Sequence, residues 1–418
     1  MYSLPYGKTK IPFTLPDVQR ADRVMYRADE ESADDSLSRQ RVLNALRSPI
    51  DTPALSVLAQ GKRSAAVMIS DGTRLCPSHL LLPLLLDELN RGGIPDTSID
   101  IVIALGMHRK HTREEMKRLV GDDVFSRIRV HNHSADVEDC IHLGTTTAGT
   151  PVEINRTVAK ADLRVVTGNI EPHALVGVAG GVKALIPGVA SQRCIEHNHS
   201  LSLRHQAVPG QPDNPIHSDL EEALQFISAD FLLNVVVDHN RQVLEAVAGH
   251  AVAAHRTGVG LASARFLVPV SQTYDVTIVS PGGYPKDTQL YQSIKALRNA
   301  SSMTKAGGTI IMAAECPEIF GNGMFQYWTE TMDRERAVAK LKQSFQLGAH
   351  KLLHLDDILS KHRVYLHSSI PPAVIELLGI LPAEQLQKCV NEVVHSRAQH
   401  VAIMPFGSMT FPQLPSVQ

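Results

Sequence analysis

Residues 163–200 read LRVVTGNIEPHALVGVAGGVKALIPGVASQRCIEHNHS. The opening run Leu163-Arg164-Val165-Val166-Thr167-Gly168 is short, apolar and β-branched, which predicts a buried strand ending in a turn. After it come His173, the glycine pair Gly180 and Gly181, Lys183, the Pro187-Gly188 turn, and His197 and His199. Open α/β sheets place ligands beyond the carboxyl ends of their strands, so a site is expected in this polar segment. The glycine pair lets a backbone approach a partner closely, and Lys183 stands beside that bare backbone. The same letters also describe a glycine turn, a surface lysine and scattered histidines. The rest of the chain weighs the two readings.

Working outward, residues 64–70 and 99–105 are two further buried strands. The first is followed at once by Asp71-Gly72-Thr73-Arg74, the second by Gly106-Met107-His108-Arg109. Helical spacing covers residues 80–91, and Thr112-Arg113-Glu114-Glu115 opens another helix close to a capping box. Residues 128–131 and 152–154 are short strands. Strands alternating with helices predict an α/β fold with a doubly wound, largely parallel sheet. All three polar clusters follow strand carboxyl ends, which favours one composite site.

The first domain is expected over residues 1–268. It begins with a hairpin within 1–25 and a charged helical stretch over 29–63. It closes with a helix over 218–229, a strand over 232–237 and a helix-like stretch over 243–264. Residues 266–270, with Pro269, read as a linker. A second α/β domain is expected over 269–418, starting with a strand at 274–280 and the loop Pro281-Gly282-Gly283-Tyr284-Pro285. A helix carrying Tyr291, Gln292 and Lys295 follows, then strands at 308–313, 363–367 and 401–405. The final tail can return to the first domain. The predicted architecture is two doubly wound α/β domains.

The chain has 418 residues, 43% hydrophobic and 20% charged, which suits two ordinary globular domains. A net charge of -2 gives no electrostatic pull toward nucleic acid or anionic membrane, and neither is an expected partner. No apolar run approaches the roughly 20 residues of a membrane span. The opening MYSLPYGKTKIPFTLPD has no signal-like apolar stretch, so a cytoplasmic location is expected. Five widely spaced cysteines with no CxxC argue against a disulfide framework or a zinc knuckle. The 20 histidines are unusual, and they cluster.

Each candidate has a plain reading beside the chemical one. Arg74 at a strand end could close a turn, or offer a planar fork to a carboxylate or phosphate. His108 and His173 could be loop histidines, or acid/base groups that titrate near neutral pH. His131-Asn132-His133-Ser134 repeats His197-Asn198-His199-Ser200, but no glycine loop or lysine accompanies the first copy, so it is read as structural. Tyr291 and Lys295 share a helix face at i and i+4, either solvated or turned to a ligand. His79 and Trp328 read as structural.

Together these motifs resemble the nickel-pincer lactate racemase family of 2-hydroxyacid racemases and epimerases. The matching stretches are Ser70-Asp71-Gly72-Thr73-Arg74, Gly106-Met107-His108-Arg109, Glu171-Pro172-His173, Gly180-Gly181-Val182-Lys183, Leu185-Ile186-Pro187-Gly188 and Asn198-His199-Ser200. Gly283-Tyr284-Pro285 continues the series through Tyr291-Gln292 to Lys295. They run in family order across nearly the whole chain. The resemblance implies two α/β domains with the site in the cleft between them.

It implies that Lys183 carries a covalent pyridinium-3,5-bisthiocarboxylic acid mononucleotide. That nickel-pincer nucleotide would be built by separate maturation enzymes. Ni(II) would be held by its two sulfurs, one ring carbon and His199, a soft and planar set. His108 and His173 would be the two acid/base residues. Arg74, Tyr291, Gln292 and Lys295 would hold the substrate carboxylate and its neighbours, and Asp71, Thr73, Gly180 and Gly181 would contact the nucleotide.

Some positions depart from the family. Leu75 replaces a proline, Pro172 replaces a serine, and His350 aligns with a pocket tryptophan, while the chain's own Trp328 lies elsewhere. A polar pocket wall leads to the expectation of a 2-hydroxyacid other than lactate, such as a sugar acid or dicarboxylate. Lactate racemase proper is the alternative, as is a cofactor-free binder of hydroxyacids or nucleotides, although a binder needs neither Lys183 nor His199. An NAD-dependent dehydrogenase or zinc hydrolase is disfavoured, because there is no strand-to-helix GxGxxG and no HExxH.

Overall fold

The structure is a computed structural model that describes residues 1–16, 20–28, 34–395 and 399–415. The chain divides into two compact units: Ala28–Ala264, and Met1–Arg27 together with Arg265–Gln418.

In the middle unit six strands form one sheet. Their spatial order is Val243–Gly249, Phe231–Val237, Leu163–Asn169, Ala65–Ser70, Ile99–Ala104 and Arg129–Asn132. Every adjacent pair is parallel except the first. The sequences AAVMIS and FLLNVVV are near-continuous apolar runs, the pattern of parallel strands covered on both faces. Helix Ser78–Arg91 buries Leu81, Leu82, Leu85, Leu86 and Leu89, a stripe at helical spacing. Asp34 caps helix Asp35–Arg47 by accepting from the Leu37 amide at 2.8 Å. Thr112 and Glu115 complete the expected capping box on helix Arg113–Val120. From Ala65–Ser70 the chain winds to one edge of the sheet, and from Leu163–Asn169 to the other. The strand order therefore reverses between these two neighbours, which is the switch point where such sheets bind ligands.

The second unit is built on a six-stranded, wholly parallel sheet ordered Leu381–Pro382, Arg363–His367, Thr304–Ala313, Tyr274–Val279, His400–Met404 and Arg20–Arg23. The expected N-terminal hairpin is present, Tyr2–Tyr6 against Thr9–Phe13. It belongs to this unit rather than to the first domain, where the sequence reading placed residues 1–268. Leu4 and Phe13 pack into a core with Ile278, Ile311 and Ile403. Local pattern identifies a hairpin but not the sheet it covers.

Other expectations are corrected. Residues 243–264 are not one helix: Val243–Gly249 is an antiparallel strand, and only Ala253–Phe266 is helical. The turn between them is fixed by backbone pairing, Ile50 to Ala248 at 2.9 Å and His250 to Ile50 at 2.8 Å. Residues 152–154 belong to strand Pro151–Asn155, which pairs with Cys140–Thr145 outside the main sheet. The expected linker contains strand Leu267–Pro269, which pairs with Phe411–Gln413, so the described part of the tail stays in the second unit. Residues 29–33 of the expected charged helix lie outside the described residues. All five cysteines are buried and free. Among the described residues no helix is long and apolar enough to cross a membrane.

Candidate active site

The site begins where three neighbouring parallel strands end. A Cβ built on Gly168 would lie 3.5 Å from Ser70 Oγ, 3.7 Å from Asn234 Nδ2 and 4.0 Å from Gly180 Cα. Strands Ala65–Ser70, Leu163–Asn169 and Phe231–Val237 thus converge on the glycine pair. Gly180 and Gly181 adopt φ of +81° and +59°, a region that disfavours side chains. The Gly181 amide donates to Asn234 Oδ1 at 2.7 Å, a buried bond. A side chain at Gly180 would collide with that same oxygen, its Cβ 2.6 Å away. Lys183 follows on the short helix Gly181–Ala184, its amide donating to the Gly180 carbonyl at 3.2 Å.

Lys183 is half-buried. Burial, reinforced by the Arg74 charge and only partly opposed by Glu171, brings its amine down to about 7. A large share of the amine is therefore uncharged at neutral pH, the form that acts as a nucleophile. The next turn bonds to the His108 loop, with Gly106 N–H donating to the Gly188 carbonyl at 2.9 Å. A Cβ on Gly188 would lie 2.3 Å from the Ala184 carbonyl oxygen and 2.8 Å from Ala104 Cβ, so only glycine fits there.

Asp71 is buried at 4% exposure, and both its oxygens are engaged within the chain. Oδ2 lies 3.1 Å from His108 Nδ1, and Oδ1 accepts from the Thr73 amide at 2.7 Å. Burial alone would raise its pKa, but the His108 charge and hydrogen bond, with Arg74 and the Thr73 contact, hold it well below the usual carboxylate range. An ionised Asp71 accepts the Nδ1 proton of His108, so whenever that ring is neutral its lone pair is on Nε2. His173, in the hairpin Pro172–His173 with Gly177–Val178, is set the other way. Its Nδ1 accepts from the Leu175 amide at 3.2 Å, which puts the ring proton on Nε2.

His199 is half-buried on helix Gln192–Ser200, capped by Ser191 through the Cys194 amide. The helix is pinned through Asn198, which is fully buried and donates to Asp219 Oδ2 at 2.8 Å and to the Ile216 carbonyl at 3.1 Å. Asp219 also accepts from Thr146 and Thr150, and Thr150 Oγ1 lies 3.0 Å from His197 Nδ1.

The first copy of the histidine tetrad proves structural. His131 pairs with Asp100 at the surface, and the buried His133 holds the Ala190 carbonyl at 2.9 Å. Asn132 brackets the backbone of His111, and His111 Nε2 accepts from the Gly72 amide at 2.9 Å. Burial lowers the His111 pKa and keeps the ring neutral, as an accepting nitrogen requires.

On the other unit, Tyr291, Gln292 and Lys295 lie on helix Leu290–Ser301, Gln292 buried and the other two half-buried. The helix start is fixed by Leu290 N–H on the Ile319 carbonyl at 2.8 Å. The loop before it is tied to the hairpin by Asp287, which accepts from the Gly7 amide at 2.7 Å. His350 is 5% exposed and meets Tyr291 edge-on at 6.2 Å, with Lys351 Nζ 5.1 Å from the Tyr291 ring centre.

Asp71, Arg74, His108, Glu171 and Lys183 are thus brought together, His199 is set on its own network, and Tyr291, Gln292 and Lys295 form a separate group on the second unit. The sequence reading missed Asn234, Asp219, His111 and His255. Only Asn234 gave a signal, as the one polar residue of FLLNVVV. Among the described residues, His217, Glu221 and His255 place ligand-type atoms within 4.8 Å of one another. Arg256 already donates to both Glu221 oxygens at 3.1 and 3.0 Å, so a cation neutralises that carboxylate.

This geometry matches known proteins. Residues 6–210 match the lactate racemase N-terminal domain and residues 270–409 the lactate racemase C-terminal domain. The chain belongs to the lactate racemase family. It is an enzyme, an isomerase of the racemase type. It is 36% identical over 344 residues to the lactate racemase of Thermoanaerobacterium thermosaccharolyticum, covering 81% of this chain and 80% of that one. It is 30% identical over 423 residues to the lactate racemase of Lactiplantibacillus plantarum, covering 97% of each. The solved structure of the lactate racemase apoprotein from T. thermosaccharolyticum superposes with a TM-score of 0.87 at 32% identity, over 98% of this chain and 99% of that one. A Thermotoga maritima protein shares the fold, with a TM-score of 0.70 at 17% identity over 91% of this chain and 98% of that one.

The Asp71 contacts have a consequence for stability. Its folded-state pKa is lowered, so the folded chain binds fewer protons than the unfolded one in acid. The stabilisation is fully present above the ordinary carboxylate value of about 4 and is lost as pH falls below it. Asp71→Asn is expected to lower Tm at neutral pH, with the difference from the unsubstituted protein shrinking below about pH 4. Thermal melts at a series of pH values check this, and a difference that stays constant into strong acid rules it out.

Proposed function

We propose that this chain inverts C2 of a 2-hydroxyacid by reversible hydride transfer, with Lys183 as the covalent attachment point of a nickel-pincer nucleotide and His199 as the protein ligand to Ni(II). The observation that carries this reading is the setting of Lys183: an amine brought down to about 7, on a turn where Gly180 and Gly181 leave the backbone bare. The residues fit the group. A cradle without side chains suits a nucleotide lying against the backbone, an uncharged amine suits covalent attachment, and an imidazole completes a soft donor set. When bound, that group supplies the acceptor and donor of the C2 hydrogen as hydride.

The chain's own residues handle protons, charge and orientation. Loss of the C2 hydrogen with its electron pair avoids a dianionic enolate beside the ionised carboxylate. It requires the hydroxyl proton to leave. His108, with Nδ1 turned to Asp71, presents Nε2 to take that proton. His173 presents an Nε2 proton, a donor suited to an alkoxide oxygen. Two histidines are needed because each enantiomer offers its hydroxyl to a different side. To give that proton and end as a neutral ring, or to take one back as base, His173 must carry a proton on Nδ1, so the Leu175 amide is released in both directions. Arg74, Tyr291, Gln292 and Lys295 are assigned to the substrate carboxylate and its neighbours, where they hold the planar oxoacid until hydride returns. Asp71, Thr73, Gly180 and Gly181 are assigned to the nucleotide. Both oxygens of Asp71 are already used, so orienting His108 is its larger part. Loading depends on separate maturation enzymes, which fits a cytoplasmic protein.

The substrate is inferred to be a 2-hydroxyacid larger or more polar than lactate. The supporting observation is the buried His350 at the edge of Tyr291, with the Lys351 amine over the same ring. An imidazole gives a methyl group less flat apolar contact than an indole, a loss of ~1–2 kcal/mol for lactate. A substrate chain bearing hydroxyls or a second carboxylate recovers it.

Intact mass of protein co-expressed with the maturation enzymes tests the cofactor. Lys183→Ala is expected to carry no adduct, and His199→Ala to keep the adduct but lose nickel. An unmodified Lys183 in fully active protein refutes the reading. Replacing His108 or His173 by Ala is expected to lower racemisation by about two to four orders of magnitude. Substrate deuterated at C2 is expected to turn over slowly and retain label, whereas complete exchange with solvent on every turnover points to proton abstraction instead. A panel of lactate, longer aliphatic, aromatic, dicarboxylic and polyhydroxy acids decides the substrate. Lactate as the best by a clear margin in kcat/KM overturns the pocket argument.

A further inference from the structure

The turn that carries Lys183 is held by two buried side chains. One is Asn234, whose Oδ1 receives the Gly181 amide. The other is His255, 1% exposed, on helix Ala253–Phe266. Its Nε2 lies 2.9 Å from the Ala179 carbonyl oxygen. Burial brings its pKa down to about 4, outweighing the Ala179 bond, so the ring is neutral with its proton on Nε2 for that carbonyl. The ring also lies flat against the glycine turn: a Cβ on Gly181 would sit 2.7 Å from His255 Cγ. His255 thus meets the turn twice, by a hydrogen bond at residue 179 and by contact at residue 181.

The ring is itself held. His217, fully buried, lies nearly parallel to it, with centroids 5.6 Å apart and planes 13° apart. Glu221 Oε1 is 3.3 Å from His217 Nε2, and Arg256, the next residue after His255, donates to both Glu221 oxygens. The ion pair fastens helix Ala253–Phe266 to helix Pro215–Glu222, and so fixes the ring's height under the turn. None of these side chains has a part in the hydride chemistry.

We propose that His255 is a positioning residue for Lys183, bracing the turn at residues 179–181 so that the lysine side chain stays half-buried within reach of the charges of Arg74 and Glu171. Without the brace, the half-buried Ala179 carbonyl loses the His255 donor, the turn relaxes, and the lysine swings toward water. This deepens the assignment of Lys183 as the attachment point, and the test separates the two.

The experiment is competitive acetylation of the full-length, cofactor-free chain with trace acetic anhydride across a range of pH, following the Lys183 peptide by mass spectrometry. In the unsubstituted protein the labelling midpoint is expected near 7. In His255→Leu it is expected to rise by about one pH unit or more, toward the ordinary lysine value of about 10.4. His255→Gln is expected to keep the low midpoint, because its amide nitrogen can still reach the Ala179 carbonyl. A folded His255→Leu protein with an unchanged midpoint overturns the proposal. Should the leucine variant fail to fold, His255→Asn takes its place: too short for the carbonyl, it is expected to behave as the leucine variant would, and an unchanged midpoint is equally fatal. An unmodified Lys183 in fully active matured protein defeats the attachment reading alone, since the labelling is read without the cofactor.

Discussion

A hydrogen bond buried beneath the glycine turn, from Gly181 N–H to Asn234 Oδ1 at 2.7 Å, seats the whole Lys183 segment on the sheet. Asn234 is the single polar side chain in an apolar strand that is buried along its length. Left unsatisfied there, its amide would cost about 1–3 kcal/mol. The partner that satisfies it is available only because Gly180 lacks a side chain, since a Cβ would reach the same oxygen at 2.6 Å. One buried polar group thus fixes the place of the turn, and the turn fixes the direction of Lys183. The strand is held in turn by its parallel neighbour Leu163–Asn169, whose own carboxyl end leads into the same segment.

A second constraint organises the far side of that segment. Helix Pro215–Glu222 turns Asp219 toward Asn198, beside His199, and His217 toward His255, beneath the lysine turn. This one short helix buries two polar side chains, His217 and Asp219, beside the apolar Ile216 and Leu220. It therefore sets two features at once, the histidine helix and the lysine turn. Moving it would disturb both.

The fold was legible where strands were continuous apolar runs. AAVMIS, LRVV and FLLNVVV declare themselves, and so do the polar tails that follow them. It was illegible where local pattern had to be joined to distant partners. Val243–Gly249 carries apolar residues compatible with either helix or strand, and only pairing with Phe231–Val237 decides between them. The N-terminal hairpin was visible, but its destination was set by Leu4 and Phe13 finding a core built from residues near the other end of the chain. Among the candidate residues, Asp71, Arg74, His108 and Lys183 stood out in the sequence by their chemistry at strand ends, and the structure sets them close together. The residues packed around the same segment, His255 against the Ala179 carbonyl and Asp219 against Asn198, sit in ordinary helical sequence, and nothing in their letters distinguishes them from helix surface.

The second unit is assembled from the two ends of the chain, with Arg20 paired to His400 at the edge of its sheet. During synthesis this has a temporal meaning. The middle unit has all of its strands once the chain has passed Ala264, and it can close while the remainder is still being made. The N-terminal hairpin and strand emerge first but have no sheet to join until the last parallel strand appears. Lys183 is thus housed in a finished unit before the helix bearing Tyr291, Gln292 and Lys295 has a completed sheet to rest on.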